Sequence, residues 1–294
     1  MFQAGIPLKY FPLAALFVAI LAAEPARAQL MLPGAIQAAP PTGSEAPKSD
    51  HPASGPARLK PIGVKPPGEA TILGRELLRD GSTGLIAFQR APGKGLEITR
   101  LLLAGEAISR PSEDCRVEVV AATPIETKFV GQPNGLARYD VEVEACPFSL
   151  EVLDGAVVVT RAGDACDFSA ANCRADPTGF WGPAADSIDA GQIKQMERAR
   201  GQAEANMRAN FRALLASAGK DKAAIKKIAG EQAGFSSQRE MICRNYLRED
   251  VHGFCALRIT QARTLALQAE FDAKAKSRED EKSIKAEIKK KPKL

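Results

Sequence analysis

The sequence reads as an α+β protein, a small antiparallel β module followed by a disulfide-stapled helical hairpin or bundle. Three observations predict this. Between Thr71 and Arg161 the apolar residues fall in short or alternating runs separated by turn pairs, the period of half-buried strands. From Ser187 onward they recur at three and four, the period of an amphipathic helix, so the change of period lies at the junction Pro177–Pro183. All six cysteines lie beyond an amino-terminal segment of the export type, and an even number there points to three disulfides.

The chain opens with a single basic residue, Lys9, followed by the apolar run Phe11–Ala23 and the small-residue site Ala26-Arg27-Ala28. This is the pattern of a secretory signal peptide cleaved after Ala28. The alternative, an uncleaved anchor, has too short an apolar run to span a bilayer comfortably. The expected location is periplasmic or secreted. No cysteine stands near the cleavage point, so no lipid anchor is expected.

Residues 29–70 are dominated by Pro, Ala, Gly and Ser, as in Ala39-Pro40-Pro41 and Lys65-Pro66-Pro67. So few large apolar side chains cannot offset the entropy of ordering, and the stretch reads as a disordered tether. A peptide ligand for a partner is the competing reading of the same composition.

Residues 71–175 form the expected β module. Runs at Leu85–Gln89, Leu96–Leu103, Arg116–Ala121, Glu126–Val130, Arg138–Glu144, Phe148–Leu153 and Ala156–Arg161 predict some seven strands in an antiparallel sandwich or open barrel. Asp154-Gly155, a two-residue link between β-rich runs, is a strong hairpin signal. In Arg138–Glu144, Tyr139, Val141 and Val143 share one face, and Asp140, Glu142 and Glu144 the other.

Neighbour pairing is the expectation for the bridges, Cys115 with Cys146, Cys166 with Cys173 and Cys243 with Cys255, because each pair would staple one local unit. A metal site would need Cys-x-x-Cys pairs or several histidines, and the only histidines are His51 and His252. Gly93-Lys94-Gly95 lacks the spacing and the Ser or Thr of a phosphate loop. Asp164, Asp167, Asn172 and Asp176 do not match the ligand spacing of a calcium loop. No metal or cofactor is expected.

The junction holds the sole tryptophan, Trp181. It reads either as a plug between packed units or as an exposed anchor for a partner. Beyond it, Asp186 or Ser187 can cap a helix through Met196, Ala199, Ala203, Met207, Phe211 and Leu214 to a stop at Gly219. A segment from Lys222 to Ile228 follows, with a break expected near Gly230 and Gly234 and a capping box at Ser237-x-x-Glu240. Gln232, Phe235, Arg239 and Cys243 then lie on one stripe. After Cys255, Ile259, Ala262, Leu265 and Ala266 can share an inward face, giving a hairpin closed by Cys243 and Cys255.

The pattern Gln232-x-x-Phe235-x-x-x-Arg239-x-x-x-Cys243, then Cys255, then Arg263-Thr264-x-x-Leu267, resembles the small Cys-containing helical domain of the LprI-type lysozyme inhibitors, a family also catalogued as a domain of unknown function. The likeness covers residues 187–271 and is most specific over 232–267. An aromatic, usually Trp, is expected where Phe235 stands, and the family's early cysteines are absent from Ser187–Leu215. The resemblance implies an activity against a lysozyme. It makes the polar tip residues Arg244, Arg248, Glu249 and His252 candidates for partner contact, with a solvated turn as the other reading.

The charge of +5 is unevenly spread: residues 71–271 hold 25 basic and 26 acidic side chains, whereas 272–294 hold nine and five. A nearly neutral folded part argues against the clustered basic face that nucleic acid requires, and no nucleic-acid partner is expected. Residues 272–294 read as a charged disordered tail. Membrane contact is expected only through Lys289, Lys290, Lys291 and Lys293, which serve either as attachment to anionic headgroups or as a solubilising end. His252 is the one histidine of the folded part, so a catalytic triad would have to use it, and in the loop between Cys243 and Cys255 it reads as a turn residue more than as a base; a carboxylate-pair hydrolase is the enzymatic reading the composition leaves open. The expected function is an exported, non-enzymatic binding protein of the cell envelope, with a lysozyme as its protein partner. The alternative is a structural or adaptor protein of the envelope.

Overall fold

The computed structural model describes residues 59–290 except 92 and 94. The expected signal peptide, the first part of the linker, Lys291 and Lys293 lie outside the described residues. The chain forms β1 (Glu76–Arg79), β2 (Thr83–Arg90), β3 (Leu96–Ala107), β4 (Asp114–Glu118), β5 (Ile125–Gly131), β6 (Arg138–Val141), β7 (Phe148–Leu153), β8 (Ala156–Thr160), β9 (Cys166–Phe168), β10 (Cys173–Ala175) and β11 (Gly179–Gly182). Helices α1 (Ala190–Ser217), α2 (Lys222–Cys243), α3 (Glu249–His252) and α4 (Phe254–Lys290) follow.

The α+β class holds, but the β part is a closed barrel where a sandwich or open barrel was expected. The order β2-β1-β11-β8-β7-β6-β5-β3 returns from β3 to β2, a ring of eight antiparallel strands. Closure depends on strands the hydrophobic runs do not reveal. β1 and β11 are four residues each, and β11 pairs with β1 on one side and β8 on the other. The interior is filled by alternating side chains, among them Ile86, Phe88, Ile98, Leu101, Val141, Leu150 and Val157.

The disulfides correct the expected pairing in the barrel. Cys115 bonds Cys173 and Cys146 bonds Cys166, in place of 115 with 146 and 166 with 173. For Cys115–Cys173 the reason lies in β3, whose 12 residues outrun the ring. Its far half is flanked by β4 and β10, with Cys115 opposite Gly105 and Cys173 opposite Ala107. A Cβ on Gly105 would stand 2.0 Å from the Arg174 carbonyl oxygen, so only glycine allows β10 to approach this closely. Neighbours in space are therefore distant in sequence.

β11 joins the two halves of the molecule. Phe180 and Trp181 alternate across it and both are 0% exposed. Trp181 faces the barrel core and donates its indole N–H to the Pro177 carbonyl at 2.8 Å, whereas Phe180 belongs to the helical core. Of the two readings of the tryptophan, the plug is the one found. Leu136, Leu153 and Ala156 also pack into the helical core, so the two cores, one in the barrel and one among the helices, meet along a packed seam.

The helices are capped elsewhere than expected. α1 starts at Asp189, which forms a capping box with Gln192, while Ala185–Ser187 is a 3-10 turn. α2 starts at Asp221, whose carboxylate accepts from Ala223 N–H and Ala224 N–H at 3.0 Å. It runs unbroken through Gly230, Gly234 and Ser237–Glu240, because Ile228, Phe235 and Cys243 bury one stripe and outweigh the glycine cost of about 1 kcal/mol each. α4 also overrides an expectation: the charged stretch from Asp272, read as a disordered tail, is helix as far as Lys290. Within it Lys274 pairs with Glu270 at 2.9 Å and Lys285 with Glu281 at 4.0 Å, the i,i+4 contacts that sustain an exposed helix. Residues 59–70, expected to be linker, are seated against α1 and α4 through Ile62 and Val64 and against the barrel through Glu69, which pairs with Arg90 of β2.

Candidate functional site

The tip of the helical hairpin is built by a short sequence of local rules. α2 ends at Cys243, whose bridge to Cys255 holds the Cα atoms 5.6 Å apart. Arg248 takes a left-handed backbone, φ 58°, and α3 stops at Gly253, φ 62°. Glu249 then does what Gly253 cannot: its carboxylate accepts from Cys255 N–H at 3.0 Å and Ala256 N–H at 2.8 Å, capping α4. Burial pushes the Glu249 carboxyl above its ordinary range, opposed by those two amides and by the nearby charges of Arg200 and Arg239.

His252 is 3% exposed and is a core residue, where a loop position was expected. Its Nδ1 accepts from Phe254 N–H at 3.2 Å, so the proton sits on Nε2, which donates to the Leu247 carbonyl at 2.9 Å. Burial holds its pKa below the usual value and keeps the ring neutral. The Glu249 oxygen 3.4 Å from Nδ1 is therefore not an ion-pair partner. With both ring nitrogens engaged, His252 is not poised as a base.

The tip docks on one end of the barrel. Tyr246 donates its hydroxyl to the Pro183 carbonyl at 2.6 Å and meets Phe180 edge-on, with ring centroids 5.2 Å apart. Gly182 lies beneath it, and a Cβ there would stand 2.7 Å from the Tyr246 hydroxyl and 3.0 Å from the Phe180 and Phe254 rings. Leu247 N–H donates to the Asp80 carbonyl at 2.8 Å, and Arg248 pairs with Asp186 at 3.2 Å.

What remains open is a cleft of about 780 Å³ on the outer side of the tip. Arg239, Arg244 and Arg248 line it together with Glu240, Glu249 and Asp250. Arg239 donates to Thr260 Oγ1 at 3.0 Å and lies over the Phe235 ring, so its guanidinium is held in place. Leu247, on the wall, is 44% exposed. Of the residues singled out in the sequence, Arg244, Arg248 and Glu249 meet at this cleft and His252 lies beneath it. Arg239 also lines it, although the sequence marked it only as part of the helical stripe. Asp80, Pro183 and Asp186 fix the tip, a role the sequence does not reveal: Asp186 reads there as a helix cap and Pro183 as the end of the junction.

The site offers guanidinium groups, carboxylates and the aliphatic Leu247, which suit the binding of a polar surface. Among the described residues no group of three or more His, Cys, Asp or Glu side chains is placed to hold a metal ion. No family model, curated protein or solved structure matches the chain.

Proposed function

We propose that the protein is an exported, non-enzymatic binding protein of the cell envelope, periplasmic or secreted, whose helical tip engages a lysozyme-type muramidase. The observation that carries this reading is the disulfide-closed tip cleft, with arginines and the exposed Leu247 on its wall. A muramidase cleft presents paired carboxylates, and a rigid patch bearing guanidinium groups complements them without paying a large ordering cost on binding. The resemblance of residues 232–267 to the LprI-type inhibitors supports the choice of partner. Three disulfides suit an oxidising compartment. Among the described residues no helix is long and apolar enough to cross a membrane.

The test is a turbidity assay of the purified mature protein against a panel of c-type, g-type and bacterial muramidases. Inhibition of at least one is expected, and Arg244→Glu combined with Leu247→Asp should abolish it. No inhibition across the panel, or inhibition indifferent to the double substitution, would overturn the reading. A specific observation favours the adaptor alternative: Tyr246, Leu247 N–H and Arg248 are engaged with the barrel, so part of the tip serves to hold the molecule together. Envelope proteins captured through the cleft, with no muramidase among them, would favour that alternative.

A further inference from the structure

A second opening lies where residues 64–67 meet α4 and the β7–β8 turn, and it shares no residue with the tip cleft. The segment is seated from two helices. Asn210 of α1 grips Ile62 by both main-chain groups, Oδ1 accepting from its N–H at 2.6 Å and Nδ2 donating to its carbonyl at 3.1 Å. Gln268 Oε1 of α4 accepts from Val64 N–H at 2.9 Å. The seated segment leaves space under it: a cavity of about 170 Å³ remains between Val64 and Pro67 and the buried side chains Leu136, Leu153 and Leu265. An apolar cavity of about 150 Å³ admits a benzene-sized guest, so this one has room for a small molecule with the segment in place.

One wall is unlike the others. Arg258 lines the cavity with its side chain only 15% exposed, and its guanidinium lies over the Phe254 ring, Cζ 4.9 Å from the centroid. Nη1 donates to Gln261 Oε1 at 3.0 Å and pairs with Asp154 Oδ2 at 2.9 Å, which engages both protons of that nitrogen. Nε is buried with no acceptor, and Nη2 meets none among the described residues. Burial holds the Arg258 pKa below its ordinary value, with the Asp154 charge opposing it. Asp154 is 51% exposed and half-hydrated, and Lys65, also on the wall, has no ion-pair partner among the described residues. Two cations thus face one carboxylate that water already solvates. A guanidinium short of acceptors in a largely apolar site is a costly state, and an anion in the cavity relieves it.

We propose that this cavity binds a small monocarboxylate with a compact aliphatic body, about the size of hexanoate. Its carboxylate accepts from Arg258 Nη2 beside Lys65, and its chain lies on Leu136, Leu153, Ala262 and Leu265, with residues 64–67 staying in place over it. The walls are set before the ligand arrives. The Thr71 hydroxyl donates to the Leu153 carbonyl at 3.2 Å, and Gly135, where a Cβ would stand 3.2 Å from Leu265 Cβ, lets the turn after β5 close on α4. The ligand is a free small molecule, because a long acyl chain exceeds the cavity.

The test follows the amide resonances of the isotope-labelled full mature chain by NMR during titration with sodium hexanoate. Shifts should concentrate at Gly155, Ala262 and Leu265 and saturate with a Kd of about 0.1–1 mM. Hexanol, which has the same body and no charge, should bind at least about tenfold more weakly, and acetate, which lacks the body, should not saturate. Dodecanoate should bind no tighter than hexanoate, since the cavity takes no further methylenes. Asp154→Asn suits the same two-residue turn before Gly155 and removes the competing carboxylate, so it should tighten hexanoate severalfold and leave hexanol unchanged. Ala262→Phe fills the cavity and should abolish binding. Ala262→Leu, a smaller intrusion should the first variant not fold, should weaken it at least about tenfold. Absence of saturable shifts, shifts scattered away from the cavity, hexanol binding as tightly as hexanoate, dodecanoate binding more tightly, or hexanoate affinity indifferent to Asp154→Asn or to the Ala262 substitution would each overturn the proposal.

Discussion

Phe180→Ala tests whether the two halves of this molecule stand or fall together. Phe180 is 0% exposed and meets Tyr246 and Phe254 edge-on, with ring centroids at 5.2 and 5.9 Å. Truncating a buried Phe costs about 3–5 kcal/mol, and the lost aromatic pairs place this site at the upper end of that range. The loss falls on the seam between barrel and helices, because the neighbouring Trp181 points into the barrel and is untouched. As the only tryptophan, Trp181 reports the barrel alone by fluorescence, while far-UV circular dichroism reports chiefly the helices. In urea the unsubstituted protein should lose both signals together. The variant should lose its helical signal first, at a midpoint lower by more than about 1 M, given a slope of about 1–3 kcal/mol/M. A single coincident transition shifted by less than about 1 kcal/mol would refute the seam, as would a fluorescence loss that precedes the helical one.

Four further outcomes are expected. Non-reducing peptide mapping should link Cys115 to Cys173 and Cys146 to Cys166. Replacing the pair 115 and 173 by serine should cost about 4 kcal/mol in thermal unfolding, against about 3 for 243 and 255, since the loops closed span 58 and 12 residues. Tyr246→Phe should cost about 1 kcal/mol in chemical denaturation, the net worth of the bond to the Pro183 carbonyl. Glu249, whose folded pKa lies above its ordinary 4.5, binds its proton more tightly folded than unfolded, so it should add stability as pH falls through the folded value toward 4.5. His252, depressed below 6.5, acts oppositely and should remove stability as pH falls from 6.5 toward its folded value. Glu249→Gln should therefore leave a steeper loss on acidification than the unsubstituted protein shows, and identical profiles would count against the burial of this carboxyl.

The parts legible in the sequence are those specified locally. Asp154-Gly155 makes the β7–β8 hairpin, and Tyr139 and Val141 face inward as their alternation requires. The stripe Phe235–Cys243 and the Cys243–Cys255 bridge follow from helical period and proximity. Closure of the barrel is not local: β1 and β11 are four residues each, and β11 is bounded by glycines that read as a turn. The bridge 115–173 follows from which strands flank β3, a fact of topology. The tip was legible as a set of polar residues but not as a docked one, because its partners Asp80, Pro183 and Asp186 lie in loops at least 60 residues earlier. Asn210 gave no signal either, since one Asn on a helix reveals nothing of the segment it grips.

The docking also gives the barrel a part in the proposed function. A disulfide spanning 12 residues narrows the conformations of the tip without selecting one, and Arg248 sits in a left-handed backbone that a non-glycine residue adopts at a cost of about 1 kcal/mol or more. Something must hold it there. The Asp80 carbonyl, the Pro183 carbonyl and the Asp186 carboxylate do so from the barrel end and the turn after β11, aligning Arg248 and Leu247 on the cleft wall before any partner arrives. Ordering these side chains at the moment of binding would cost about 0.5–1.5 kcal/mol each. The barrel, whose interior is packed with side chains, acts in this scheme as the platform that removes that cost, and its closed ring makes the platform rigid. Weakening the platform at Asp186 should then slow association with a partner while leaving the cleft's own residues unchanged.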